Sequence, residues 1–135
     1  MSPEAPGAAD PYHAHIYYDH ESWDTAHRLH QKLSDILMSG MLADLLVVGR
    51  MYESGVGPHP QPQFEIQFRA SVLPQITKVL EASGLTVLIH PLTDDDLADH
   101  TTLAHWIGEP LPLDESVLDP PGHNQGIARF GKSEF

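Results

Sequence analysis

The sequence predicts an α+β fold, an antiparallel sheet with helices on one face. Three observations lead there. Residues 63–68, Gln-Phe-Glu-Ile-Gln-Phe, alternate strictly between polar and apolar, as a strand with one face on a core must. Two longer segments, Trp23 to Leu37 and Val72 to Leu80, carry apolar residues at helical spacing, and each is closed by a glycine. Strand-like and helix-like segments then follow one another in the order β-α-β-β-α-β.

Taken in order, residues 1–11 are rich in Pro, Gly and Ala and read as a disordered leader. Tyr12 to Tyr18 is β-branched and aromatic enough for a first strand, and its alternation puts His13, His15 and Tyr17 on one face and Ala14, Ile16 and Tyr18 on the other. After an Asp19-His20-Glu21 turn, Ser22 is the expected N-cap of a helix whose apolar stripe is Trp23, Ala26, Leu29, Leu33, Ile36 and Leu37, and Gly40 ends it. His27 and His30 lie off that stripe and read as solvated helix-surface residues. Leu42 to Val48 is a second strand, and Tyr52 to Gln61 a Gly/Pro-rich loop around Gly57-Pro58-His59-Pro60.

Gln63 to Phe68 is the third strand. Ser71 is a candidate cap for the second helix, with Pro74 tolerated in its first turn and Gly84 at its end. Leu85 to His90 is a fourth strand stopped by Pro91. Thr93-Asp94-Asp95-Asp96 reads as the start of a third helix carrying Leu97, Leu103, Ala104 and Ile107 to Gly108. Residues 114–135 hold Pro120, Pro121, Gly122, Gly126 and Gly131, and read as an extended tail draped over the domain or a partner. The division is a leader at 1–11, one domain at 12–113 and the tail.

The order is the split-βαβ, ferredoxin-like pattern, with an extra C-terminal helix and tail. In that topology the first strand lies between the third and fourth. If Phe64, Ile66 and Phe68 face the helices, the opposite face collects His13, His15, Tyr17, Glu65 and His90. The first and fourth strands run antiparallel, so His13 and His15 are expected to meet His90. Two or three imidazoles with a carboxylate suit a bound metal with open positions, iron or zinc. His100 is either a helix-surface residue or a proton-transfer residue of the same pocket. His59 lies on a loop at the far end of the sheet and can join only by folding back or from a second subunit. Trp106 is either core or pocket wall, and His20, His105 and His123 read as ordinary surface residues.

Composition narrows the function further. With 19 acidic against 7 basic residues the formal charge is −12, and no Lys/Arg cluster exists to contact phosphates, so nucleic acid and anionic membranes are poor partners. No cysteine is present, which removes disulfides, thiolate metal sites and cysteine nucleophiles. The N-terminus lacks a basic start and an apolar run, and no segment has the length to span a bilayer, so the expectation is a cytoplasmic protein acting on a small molecule.

The motifs in order are His13-Ala14-His15, Gly57-Pro58-His59-Pro60 before Phe64-Glu65, Leu88-Ile89-His90-Pro91, Asp99-His100-Thr101 and Trp106-Ile107-Gly108. Their ordered combination, over about Tyr12 to Leu113, resembles the DOPA 4,5-dioxygenase family. The resemblance implies a ferredoxin-like, often dimeric protein with an iron site formed by histidines. It implies oxygen-dependent extradiol opening of a catechol such as DOPA, and by position it nominates His13, His15, His59, His90 and His100. On this reading His15 and His90 hold Fe(II), with His59 or Glu65 as the third ligand. His13 or His100 moves protons, and Tyr17 with Trp106 lines the pocket. The partners are then a catechol and O2, in a homodimer. The rival expectation is a non-oxygenase dimeric module that holds zinc or a small ligand on its histidine face.

Overall fold

The computed structural model describes residues 7–55, 57–120 and 130. One sheet of five antiparallel strands organises it: β1 (Pro11–Tyr17), β2 (Leu45–Val48), β3 (Gln63–Arg69), β4 (Val87–Pro91) and β5 (His105–Ile107), in the spatial order β2-β3-β1-β4-β5. The first four strands have the expected ferredoxin-like arrangement, with β1 central. Helices α1 (Trp23–Ser39) and α2 (Leu73–Ser83) cover one face, and α3 (Asp96–His100) follows β4.

Alternation along the strands builds the core. Ala14, Ile16 and Tyr18 join Phe64, Ile66, Phe68, Val87 and Ile89 under Ala26, Leu29 and Leu33 of α1 and Ile76 and Leu80 of α2. Both helices end where the sequence places a glycine. Gly40 (φ 72°) and Gly84 (φ 75°) take the left-handed conformation that a side chain would strain.

Several elements differ from the sequence-based expectation. The third helix does not run to Gly108. It stops at His100, where Thr101 donates from its hydroxyl to the Leu97 carbonyl (2.6 Å) and the N–H groups of Thr101 and Leu103 both turn onto the Ala98 carbonyl. The freed residues His105–Ile107 pair with the open edge of β4, Trp106 opposite Leu88. Edge pairing satisfies backbone groups that a longer helix would have satisfied internally. β2 starts at Leu45 rather than Leu42. Ser22 stands at the N-cap of α1, but its hydroxyl donates to Asp19 (2.9 Å) instead of accepting from the helix. Ser71 lies inside a short 3-10 turn before α2 and bonds Asp44. His30 is not a solvated surface residue: it is half-buried, lies edge-on to Phe64, and its Nε2 meets the Gly49 carbonyl at 2.8 Å. His27 is exposed as expected.

Of the expected leader, residues 1–6 lie outside the described residues. From Gly7 the chain is tied to the end of β3: the Asp10 carbonyl accepts from Ala70 N–H (2.9 Å) and the Ala8 carbonyl from Ser71 N–H (2.9 Å). Of the tail, residues up to 120 and Phe130 are described; His123 and the glycines at 122, 126 and 131 are not. None of the described helices is long and apolar enough to cross a membrane.

Candidate metal site

On the sheet face away from α1 and α2, the strand register assembles a buried polar layer. His13 lies opposite His90 on β4 and Gln67 on β3, and His15 lies opposite Glu65. His13, His15, Gln63, Glu65, Gln67 and His90 are all buried, none more than 6 % exposed. Burying so many polar groups is costly unless each finds a partner.

The partners are specific, and they fix which nitrogen of each imidazole is free. His13 Nδ1–H donates to the Glu65 carboxylate (3.0 Å), and Gln67 donates to the other oxygen (3.0 Å). His15 Nδ1 meets the amide oxygen of Gln63 at 3.1 Å, and His90 Nδ1 meets the Pro91 carbonyl at 2.8 Å. These acceptors have no proton to give, so all three histidines spend Nδ1–H on them and keep a lone pair at Nε2. His15 Nε2 and His90 Nε2 then face each other at 3.0 Å with no proton between them. His13 Nε2 is buried without a hydrogen-bond partner among the described residues. His13, His15 and His90 each offer a donor atom, all within 4.8 Å of one another.

This arrangement fits a cation. Two imidazole nitrogens bound at about 2.1 Å and at right angles on one ion lie about 3 Å apart, as the nitrogens of His15 and His90 do. Carboxylate and carbonyl acceptors behind the imidazoles are what metal-ligating histidines characteristically have. Neutral imidazoles suit zinc, copper, iron and nickel, so a metal can be held here, and the donor set does not choose among them.

Electrostatics agrees. Burial, and then the neighbouring His59, hold His15 well below the usual imidazole range; burial, and then His100, do the same to His90. Both imidazoles are therefore neutral at physiological pH. Burial alone pushes the Glu65 carboxyl up, but the hydrogen bond and charge of His13, then His15 and Gln67, outweigh it and bring Glu65 down to about 2.

Two further histidines close over the triad. The His59 ring lies 4.1 Å from that of His15, and the His100 ring 4.2 Å from that of His90. The loop carrying His59 folds back within its own chain, so no second subunit is needed to bring it there. Gly55 permits that fold, because a Cβ at residue 55 would collide with the His59 carbonyl. Burial, and then His100, push His59 down to about 3. Tyr17 is raised by burial, keeps its proton, and donates it to His59 Nδ1 at 2.6 Å. Trp106 on β5 stacks on Tyr17 (5.8 Å, 19°). His100 spends Nδ1–H on the Asp96 carbonyl (2.8 Å). Phe130 lies over His13, 6.5 Å between rings, and beneath Arg69.

All five nominated histidines therefore converge, with Tyr17, Glu65 and Trp106 beside them. His13, expected as a proton carrier, sits with His15 and His90 in the triad. Glu65, expected as a ligand, stands behind His13. Gln63, which orients His15, was not nominated; its signal was the polar alternation of β3 that nominated Glu65. His20 and His105 are exposed.

Fold and site together define a ferredoxin-like protein with a buried three-histidine centre able to hold a metal ion. The model of the Dopa 4,5-dioxygenase family matches residues 12–117, and the chain belongs to that family. It is 28% identical over 112 residues to the DOPA 4,5-dioxygenase of Amanita muscaria, covering 79% of this chain and 49% of that protein. It is 37% identical over 86 residues to an uncharacterised 21.2 kDa protein of Botryotinia fuckeliana, covering 54% and 45%. The chain thus spans about half the length of the curated relatives it matches. Among solved structures, a protein of Nostoc punctiforme PCC 73102 provisionally assigned as a dioxygenase superposes with a TM-score of 0.69 at 28% identity, over 82% of this chain and 91% of that one.

Proposed function

We propose that this chain is a non-haem iron(II)-dependent extradiol dioxygenase that opens the ring of DOPA or a related catechol. The observation that carries the reading is the convergence of three Nε2 lone pairs, each fixed by an acceptor on its own Nδ1. Family membership supports the reaction class. His13, His15 and His90 would hold the ion. When bound, iron would supply a Lewis acid that favours loss of the catechol protons and a redox centre for dioxygen.

The chain's own groups supply the rest. His100, with Nδ1–H committed to Asp96, offers Nε2 as a base for a hydroxyl proton of the substrate. His59, accepting at Nδ1 from Tyr17, carries its proton at Nε2 and is a donor. One base and one donor thus flank the triad, which suits a reaction that removes protons from a diol and returns one as the ring opens. Trp106 and Tyr17 offer a flat apolar wall to an aromatic ring. Both oxygen atoms of O2 end in the product, so no external reductant is needed.

The test is oxygen uptake with a panel of catechols in protein reconstituted anaerobically with Fe(II). A yellow ring-opened product formed with equimolar oxygen consumption is the expected result. Stoichiometric zinc binding with no uptake on any catechol would replace this reading by that of a ligand-binding module.

A further inference from the structure

The triad and the flanking histidines are held in different ways. His13 and His15 stand on β1, paired on both sides by β3 and β4, and His90 stands on β4, paired with His13. His59 stands on a loop and His100 at the end of a five-residue helix, neither of which has ladder bonds of its own. Besides the Tyr17 hydroxyl on His59, backbone ties reach these two from the segment that follows β5. Asp114 N–H donates to the Pro58 carbonyl, one residue before His59, at 2.8 Å. Asp119 N–H donates to Asp96 Oδ2 at 2.8 Å. Asp96 is in turn the residue whose carbonyl accepts from His100 Nδ1 at 2.8 Å, with its Oδ1 3.4 Å from the same nitrogen. A short 3-10 turn, Glu115–Val117, joins the two ties, the Ser116 N–H and hydroxyl both donating to the Asp114 side chain.

We infer that residues 114–119 are a positioning strap: one backbone donor at each end sets His59 and His100 against the triad without touching the metal donors. The inference builds on the reading of His59 and His100 as groups that serve the substrate rather than the ion. It gives a role to a stretch whose far end lies beyond the family match, which stops at residue 117. It also identifies Asp96 and the backbone of Asp119 as positioning groups for His100.

Asp119→Pro tests it. The substitution deletes the N–H donor, and Leu118 (φ −79°, ψ 148°) already has the extended conformation that a residue before proline requires. In the zinc-loaded protein, imidazole carbon–proton correlations read each histidine by NMR, and chelator competition reads zinc affinity. In Asp119→Pro the His100 signals are expected to shift or broaden while those of His13, His15 and His90, and the zinc affinity, stay as in the parent. In iron-loaded protein kcat should fall by roughly ten- to a hundredfold. Unmoved His100 signals in Asp119→Pro overturn the inference, as does zinc affinity falling in step with His100.

Should Asp119→Pro fail to fold, the acceptor side decides. Asp96→Asn retains an oxygen for the Asp119 N–H and should keep the parent's His100 signals, whereas Asp96→Ala should lose them; identical behaviour of the two overturns the strap. Absence of catechol turnover in the parent would sink the proposed function and leave the NMR comparison standing as the test of the strap.

Discussion

The two faces of the sheet are built from the same strands, often from adjacent residues, and are held together by different physics. The helix-covered face is apolar, with Phe64, Ile66 and Phe68 fully buried beneath α1 and α2. The other face buries nearly as completely, yet what it buries is Gln63, Glu65, Gln67 and three imidazoles. The first gains free energy from every ångström of surface withdrawn from water. The second loses free energy by the same withdrawal and recovers it through directed hydrogen bonds that finish one lone pair short at each histidine. One face provides stability; the other provides an incomplete coordination shell on a support rigid enough to keep it incomplete.

The largest expected effect breaks the apolar side. Phe64→Ala should destabilise the protein by about 3–5 kcal/mol in urea unfolding, while the folded fraction keeps its metal affinity. If affinity collapses as well, the faces are not independent. On the polar side, metal at a thousandfold over its Kd should stabilise the wild type by about 4 kcal/mol, and chelation should remove that gain. His90→Ala should show no such gain and no stoichiometric metal by elemental analysis. A metal-dependent stabilisation that survives in His90→Ala would place the ion elsewhere.

Acid separates the faces next. The unfolded chain takes up protons near pH 6.5 that folded His15, His59 and His90 refuse, His59 until about 3. Their contribution is therefore complete above pH 6.5 and is lost as the pH falls below it, by on the order of 1 kcal/mol per histidine per pH unit. Glu65 adds a loss of the same sign between 4.5 and about 2. Metal-free protein should weaken steeply from pH 6.5 to 5 by chemical denaturation, and a flat profile there would mean the imidazoles are not buried together. The smallest effect sharpens the comparison. Glu65→Gln keeps the shape but removes the charge behind His13, and should weaken metal binding about 10–100-fold. An unchanged affinity would remove Glu65 from the site.

Much of this was legible from alternation alone. A period of two in β1 and β3 put His13, His15, Tyr17 and Glu65 on one face, and the antiparallel β1–β4 pair brought His90 to them. The roles within the cluster were not legible, because they depend on diagonal contacts. His13 reaches Glu65 and His15 reaches Gln63 across one step of register, so that each imidazole selects its acceptor by side-chain geometry and not by its opposite number. The region after Asp96 was misread for a different reason. Leu97, Leu103, Ala104 and Ile107 have roughly helical spacing, and three residues of strand are too short to show a period of their own. The fold-back of the His59 loop rests on Gly55 and on a backbone tie from Asp114, both invisible to hydrophobic pattern.

The central position of β1 has a consequence for how the chain matures. The first strand in the sequence carries two of the three donors, and the third arrives only when residue 90 pairs beside residue 13. A closure that distant is among the slow and entropically expensive contacts of folding. An ion arriving earlier finds at most a pair of these three imidazoles, so the complete donor set exists only once the sheet has closed.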